Sequence, residues 1–158
     1  MTKQGNQSTV MTMTKMIFVN LPVKDLEVAA RFYAAIGCEK NEQFSDENAA
    51  SMVWSEAITL QLLQNDYYAT FTSKRIADAK ETSEVLIALT RDSREDVDAT
   101  VAAGASGGGR ADIRAPLDMG FMYNRVLEDP DGHVLEFVWM DMAAAGDFPA
   151  DTPDHSAA

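Results

Sequence analysis

The spacing of hydrophobic and polar residues predicts a strand, a helix and then further strands in the first half of the chain. Residues 16–21 form an apolar run that ends at Pro22, which is typical of a short strand. Apolar residues then recur at helical spacing over 26–36, with Asp25 as the predicted N-cap and Gly37 as the predicted stop. Three more strands are predicted, at residues 38–44, 49–55 and 57–64.

The second half repeats this order, which indicates an internal duplication. A strand is predicted at residues 85–89, followed by a helix capped by Ser93 or Asp92. The 12 positions from Asp92 to the predicted helix end at Gly104 equal the spacing from Asp25 to Gly37, with an offset of 67. Three strands are predicted after this helix, at residues 111–114, 120–128 and 133–140.

The remaining segments show no comparable pattern. The bridge between the two halves contains Tyr67, Tyr68 and Phe71, and a short helix is predicted at 73–80. Polar residues dominate the N-terminal end, and Ala, Asp and Pro dominate the C-terminal end, which is typical of unstructured termini. Residues 1–14 are predicted to be a disordered extension, and residues 143–158 a flexible tail. Residues 15–142 are predicted to form one domain, in which a linker (66–83) joins two modules (16–65 and 84–141).

Charge and composition exclude several classes of partner. The chain has 13 Lys and Arg against 25 Asp and Glu, a net charge of −12, which disfavours nucleic acids and anionic membranes. No apolar run approaches the roughly 20 residues that a membrane-spanning helix needs. Cys38 is the single cysteine, so no intramolecular disulfide can form and a cytoplasmic location is expected.

Two segments carry a resemblance to a known family. The first segment begins with VKDL at residues 23–26, continues with RFY at 31–33 and ends at Gly37. The second segment reads EDPDGHVLEF at residues 128–137. Together they resemble the vicinal oxygen chelate superfamily, which includes glyoxalase I, bleomycin resistance proteins and extradiol dioxygenases, and in particular its uncharacterised glyoxalase-like bacterial members. The resemblance implies an α+β fold in which two tandem βαβββ modules form half-barrel sheets around a cleft.

In metal-dependent members of this superfamily, the first and last strands of each module supply the ligands of a divalent cation. The resemblance places Phe18 and its repeat mate Val85 at the first-strand positions, where neither side chain can bind a metal. It places Gln61 and Glu136 at the last-strand positions. Catalytic zinc typically has three protein ligands. No tightly bound metal and no other cofactor are therefore predicted, and a weak divalent cation at Gln61 and Glu136 is left open.

The alternation of side chains along the strands predicts a small-molecule site in the cleft. The residues predicted to bind the ligand are Phe18, Asn20, Trp54, Gln61, Met122 and Asn124. Met52, Val85 and Met140 are expected beside them. Glu136 is the candidate catalytic acid or base, since a carboxyl group among apolar side chains is typical of such sites. The alternative is a structural ion pair between Glu136 and a neighbouring arginine such as Arg125.

Other reactive side chains have weaker claims to a function. Cys38 follows the stop of the first helix and is predicted to be a small buried residue rather than a nucleophile. His133 is expected to be exposed in the last hairpin. Residues 107–109 are all glycine and follow a helix, so a flexible loop beside the cleft is predicted instead of a phosphate site.

The sequence leaves two functions open. One is a glyoxalase-like lyase or isomerase with a metal-poor cleft and Glu136 as its acid or base. The alternative is a metal-free binding protein that sequesters its ligand, as bleomycin resistance proteins do. A homodimer is expected in either case, because the resemblance implies half-barrel sheets whose open edges pair across a two-fold axis.

Overall fold

The computed structural model describes residues 14–144, and its elements follow the predicted order in both halves. The first module comprises β1 (Ile17–Val23), α1 (Leu26–Ala35), β2 (Glu39–Asn41), a 3-10 turn (Glu42–Phe44), β3 (Ala49–Ser55) and β4 (Ile58–Gln64). The bridge contains α2 (Asn65–Tyr68) and a second 3-10 turn (Ala69–Phe71). The second module comprises β5 (Leu86–Thr90), α3 (Arg94–Ser106), β6 (Arg110–Ala111), β7 (Leu117–Asp118), β8 (Met122–Glu128) and β9 (Val134–Met140).

Each module forms its own sheet, and the two sheets have the same topology. The strand order is β1-β4-β3-β2 in the first sheet and β5-β9-β8-β6 in the second, where β7 also pairs with β8. In both sheets the first strand lies at an edge and pairs in parallel with the last strand of its module. The predicted α+β fold of two tandem βαβββ modules is therefore confirmed.

The helix ends show that the repeat offset of 67 is wrong. Asp25 accepts the backbone N–H of Val28 at 3.0 Å, and Ser93 accepts that of Asp96 at 3.0 Å, so the two N-caps lie 68 positions apart. α3 runs past Gly104 to Ser106. A Cβ atom at Gly104 would lie 2.2 Å from Leu127 Cδ2, so this glycine permits close packing of helix and sheet instead of ending the helix.

Three other predicted element boundaries are also wrong. Pro22 lies within β1 instead of ending it, because an edge strand tolerates a residue without an N–H group. The strand predicted at 111–114 is replaced by the short strands β6 and β7, with Asp112 between them at a φ of 52°. No helix forms at 73–80, and the short helix of the bridge is α2 instead. The predicted extension and tail lie, except for their innermost residues, outside the described residues.

One hydrophobic core joins the two modules. It includes Phe32 of α1, Leu60 of β4, Val101 of α3 and Phe137 of β9, all fully buried. Because both helices and the inner faces of both sheets contribute to it, the opposite face of each sheet is left for other contacts.

The turn at residues 129–132, between β8 and β9, connects the second module to the first. Asp129 accepts a hydrogen bond from the buried Tyr33 hydroxyl at 2.9 Å, and burial raises the pKa of both groups. His133 Nε2 lies 2.8 Å from the carbonyl oxygen of Pro22. His133 is thus half-buried between the modules, and the expectation that it is exposed is wrong.

None of the helices between residues 14 and 144 is both long and apolar enough to cross a membrane.

Candidate ligand-binding site

The outer face of the first sheet presents two amide side chains with no partner. Asn20 of β1 and Gln61 of β4 are paired in the parallel register, so their side chains lie side by side on one face. The neighbours Leu60 and Leu62 point the other way, into the core. Neither amide makes a side-chain hydrogen bond within residues 14–144. Both are therefore available to a ligand.

Aromatic side chains surround these amides and form what we call the aromatic cavity, with a volume of about 690 Å³. Its aromatic walls are Phe44, Tyr67, Tyr68 and Phe71. Phe44 and Phe71 are 66% and 65% exposed, which is high for phenylalanine. Tyr67 and Phe71 pack edge to face with ring centroids 5.1 Å apart.

The aromatic walls come from irregular segments that the sequence analysis did not assign to the site. Phe44 ends the first 3-10 turn, and α2 with the following turn carries Tyr67, Tyr68 and Phe71. The signal was present, because aromatic residues cluster in a segment that is otherwise polar. The helix predicted at 73–80 was placed too late to bring them to the sheet.

Two other polar side chains of the aromatic cavity are committed to the chain itself. Asp46 Oδ1 accepts the backbone N–H groups of Asn48 at 2.8 Å and Ala49 at 3.0 Å. The Ser45 hydroxyl donates to the carbonyl oxygen of Asn41 and accepts the N–H of Ser51. These side chains fix the turn before β3, and the amides of Asn20 and Gln61 remain as polar anchors on the sheet, with the Gln43 side chain at the rim.

A second cavity adjoins the first, and we call it the linker cavity because residues 72–85 form one of its walls. Its volume is about 300 Å³. β1, β5 and β9 form the other walls, through residues that include Pro22, Ile87 and Val134. Asn20, Tyr68 and Thr72 line both cavities, so the two spaces meet at these residues.

The corresponding face of the second sheet is closed by an arginine. Arg114 Nη2 donates to Asn124 Oδ1 at 2.6 Å and to Glu136 Oε1 at 3.0 Å. Asn124 is 5% exposed, and its neighbour Met122 pairs with Met140 at the end of the sheet. This contact occupies Oε1, one of the two carboxylate oxygens of Glu136. Glu136 therefore has the structural ion pair of the alternative interpretation, but with Arg114.

Arg125, the expected partner of Glu136, belongs to a different network. It contacts Asp98 at 2.9 Å and Asp112 at 2.6 Å. The Tyr123 hydroxyl also donates to Asp98, at 2.8 Å. The hydrogen bond from Arg125 holds the pKa of Asp98 below its ordinary value.

Arg94 of α3 holds the β7–β8 hairpin. Its guanidinium makes two hydrogen bonds to Asp118, at 2.7 and 2.9 Å, and lies over the rings of Tyr123 and Trp139. The hydrogen bond from Arg94, followed by that from the Gly120 N–H, lowers the pKa of Asp118 to about 2. Asp118 and Tyr123 thus connect the hairpin to α3 and lie outside both cavities.

The residues predicted to share one cleft come from both sheets. Asn20 and Gln61 meet in the aromatic cavity, whereas Asn124, Met122 and Glu136 lie on the other sheet. Phe18 is exposed on β1, on the same face as Asn20 but outside the aromatic and linker cavities.

Two side chains that were expected in the cleft, Trp54 and Met52, face the core instead. Trp54 packs on Phe137 at 5.9 Å between centroids and under the Arg91 guanidinium at 5.4 Å. Met52, two residues earlier on the same strand face, is fully buried in the core. Both faces of β3 carry small or apolar residues, so alternation alone does not show which face is buried.

Cys38 and the glycine run have structural roles. Cys38 is buried, as predicted, and burial raises the pKa of its thiol to about 12. A Cβ atom at Gly109 would lie 2.4 Å from a ring carbon of Phe32 and 2.8 Å from the carbonyl oxygen of Glu128. The prediction of a flexible loop beside the cleft is therefore wrong, because residues 107–109 form a tightly packed helix end.

The residues present do not fit the divalent cation that the resemblance implies. Gln61 aligns with Asn20 of β1, and Glu136 aligns with Ala88 of β5, so the repeat mate of Phe18 is Leu86 and not Val85. Both first-strand positions are apolar. Glu136 is engaged by Arg114, and residues 14–144 contain no group of three or more His, Cys, Asp or Glu that could hold a metal.

The sequence and the fold together identify the family. The family model of the Glyoxalase/Bleomycin resistance protein/Dioxygenase superfamily matches residues 15–137, and the chain belongs to this superfamily. No curated protein matches the chain.

Solved structures share the fold. A hypothetical protein, SA1046 from S. aureus, is 28% identical with a TM-score of 0.67, over 80% of this chain and 95% of that one. A glyoxalase/bleomycin resistance protein/dioxygenase family enzyme from Burkholderia phytofirmans is 20% identical with a TM-score of 0.64, over 79% and 98%. The fosfomycin resistance protein FosX from Mesorhizobium loti is 17% identical with a TM-score of 0.57, over 87% and 98%.

Proposed function

We propose that this protein binds a small organic molecule in the aromatic cavity and that binding requires no metal or other cofactor. The observation that carries the proposal is the pair of unpartnered amides, Asn20 and Gln61, beneath exposed aromatic rings. Apolar walls with a few converging polar groups are typical of small-molecule sites. The volume of about 690 Å³ lies within the usual range of such sites.

The aromatic walls favour a ligand with a flat or apolar body. A ring placed between Phe44 and Phe71 would bury apolar surface that water now contacts, which favours binding by about 25 cal/mol for each Å² buried. The amides would orient the ligand, since each has one acceptor and two donor hydrogens to offer.

Sequestration is favoured over catalysis because no contact in the described residues supports a reaction at Glu136. A lyase or isomerase with Glu136 as its acid or base stays a prediction, and Arg114 already occupies one oxygen of that carboxylate. Glu136 also lies on the second sheet, whereas the unpartnered amides lie on the first.

We further propose that a second copy of the chain covers the two edge strands. Met16, Ile17 and Phe18 at one edge, and Val85 and Leu86 at the other, are exposed apolar side chains. Exposed apolar sheet edges are ready sites of association. Light scattering should give twice the monomer mass of 17.3 kDa, and Phe18→Glu should shift it to the monomer. A wild-type monomer at micromolar concentration would contradict the dimer.

The cytoplasmic location stays a prediction.

A ligand screen with matched variants tests the binding proposal. Thermal-shift hits from a library of small aromatic and hydroxylated compounds would be measured by calorimetry on wild type, Phe71→Ala, Gln61→Ala and Leu117→Ala. Loss of one aromatic contact should weaken binding about tenfold or somewhat less. Leu117 is an exposed apolar residue of the second sheet outside the aromatic cavity, so its variant is the control. A ligand whose affinity depends on Leu117 but not on Phe71 or Gln61 would overturn the proposal.

A further inference from the structure

We propose that the ligand is a monoanionic organic acid whose carboxylate lies in the linker cavity while its apolar body lies in the aromatic cavity. This inference rests on the proposed binding function and specifies the class of ligand. The two cavities meet at Asn20, Tyr68 and Thr72, so one molecule can occupy both. Asn20 then stands at the junction, where its amide can donate to the acid group.

The linker cavity has two cationic side chains without a counter-ion. Lys74 and Arg75 both line it, and neither forms an ion pair within residues 14–144. The basic side chains that do form ion pairs lie elsewhere and are Lys40, Arg94, Arg110, Arg114 and Arg125. In a chain with a net charge of −12, two unpaired cations beside one small cavity form a local site for an anion.

The other charged and polar groups of the cavity limit the charge of the ligand. Glu84 also lines the cavity and offsets one of the two cations. His133 also lines the cavity, but its Nε2 lies 2.8 Å from the carbonyl oxygen of Pro22 and is engaged within the chain. The Ser83 hydroxyl has no hydrogen-bond partner in the described residues and can donate. A net charge near +1 suits a carboxylate better than a dianionic phosphate.

The charge of the aromatic cavity sets the orientation. Among residues 14–144, the one acidic side chain that lines it is Asp46, which accepts two backbone N–H groups in the turn before β3. A carboxylate at that end would meet a like charge, whereas at the linker end it meets Lys74 and Arg75. The acid group is therefore directed to the linker cavity.

Three probes that share one ring system separate charge from shape. Indole-3-acetate, indole-3-acetamide and tryptamine carry an anionic, a neutral and a cationic side chain, and calorimetry would measure each on the full-length protein. We expect the acetate to bind about tenfold more tightly than the other two. The double variant Lys74→Gln/Arg75→Gln should remove this preference without changing the affinity for the acetamide. Glu84→Gln should strengthen acetate binding.

The control variant is Arg31→Gln, which removes one exposed, unpaired cation from α1 outside the described cavities. It should leave the preference for acetate intact, and urea unfolding should show that all variants fold. Equal affinities for the three probes, or an acetate preference that survives the double variant, would overturn the inference. If Phe71→Ala still weakened all three probes, the proposed function would stand. Failure of every probe to bind at millimolar concentration would contradict both.

Discussion

The outer faces of the two sheets share one topology and differ in how their polar groups are satisfied. On the second sheet, Arg114 closes the face by binding Asn124 and Glu136. On the first sheet, Asn20 of β1 is paired in register with Gln61 of β4, but neither side chain has a hydrogen bond in the described residues. Aromatic side chains surround the open face of the first sheet, whereas the Arg114 guanidinium covers the polar groups of the second.

This difference shows how a duplicated fold can divide its tasks. A polar group that is buried and bonded within the chain contributes to stability and specifies one packing arrangement. A polar group left unpaired beside a cavity contributes little to stability and can instead bind a ligand. Substitutions on the second face should therefore change stability, and substitutions on the first face should change binding.

The largest effect is expected where the two modules are joined. Gly132 has a φ of 99°, and an added Cβ would lie 2.6 Å from the backbone nitrogen of Lys80 in the linker. Gly132→Ala should cost about 3 kcal/mol, from backbone strain and the clash together. Gly108→Ala is the matched control, because a φ of 105° gives the same strain while the nearest atom to the added Cβ would be Pro130 Cγ at 3.8 Å. Equal losses in urea unfolding would show that the linker is not held at this glycine.

The next effect separates the two faces directly. Arg114→Ala should lower the free energy of unfolding by about 1–2 kcal/mol, because the buried Asn124 oxygen loses its donor. The ion pair itself adds little, since the Arg114 side chain is 45% exposed. Phe71→Ala should change stability by less than about 0.5 kcal/mol, because Phe71 is largely exposed.

Arg110→Ala is the control for the arginine substitution. Arg110 forms an exposed ion pair with Glu128 at 3.0 Å but has no hydrogen bond to a buried acceptor, so its loss should be within about 0.5 kcal/mol. If chemical denaturation gave Arg114→Ala and Arg110→Ala the same small loss, the closed face would not be a stabilising feature.

A smaller, pH-dependent effect is expected at the junction between Tyr33 and Asp129. Burial raises the pKa of Asp129 above its ordinary value, so the folded state holds this proton more tightly than the unfolded state does. The contribution to stability is present below the ordinary Asp pKa and is lost as the pH rises through the higher folded value. The side chain of Asp129→Asn cannot ionise. The unfolding midpoint of this variant should therefore rise relative to that of wild type as the pH rises above about 4. A difference independent of pH would contradict this.

The parts of the fold that follow from periodic patterns could be predicted from the sequence. The long strands, α1, α3 and the hairpin at Gly132 arise from alternation, capping residues and a glycine turn, which act locally. The offset of 67 was wrong because Gly104, which looked like a helix stop, serves packing against Leu127.

The candidate site is harder to predict for two reasons. Some of its walls come from irregular segments, and the sequence does not show which face of β3 is buried. Phe44 and Phe71 lie in 3-10 turns, which have no strong periodic signal. Trp54 and Met52 were assigned to the cleft, although they face the core, because both faces of β3 accept small or apolar side chains. Arg114 lies in an exposed loop 22 residues from Glu136, a pairing that spacing does not reveal.

The most direct test follows the side-chain amide signals of Asn20, Gln61 and Asn124 by heteronuclear NMR during titration with indole-3-acetate. These three amides report on the open face of the first sheet and the closed face of the second. We expect the signals of Asn20 and Gln61 to shift in a saturable way while that of Asn124 stays in place. A saturable shift of Asn124 alone, with Asn20 and Gln61 unchanged, would contradict the assignment of ligand binding to the first sheet.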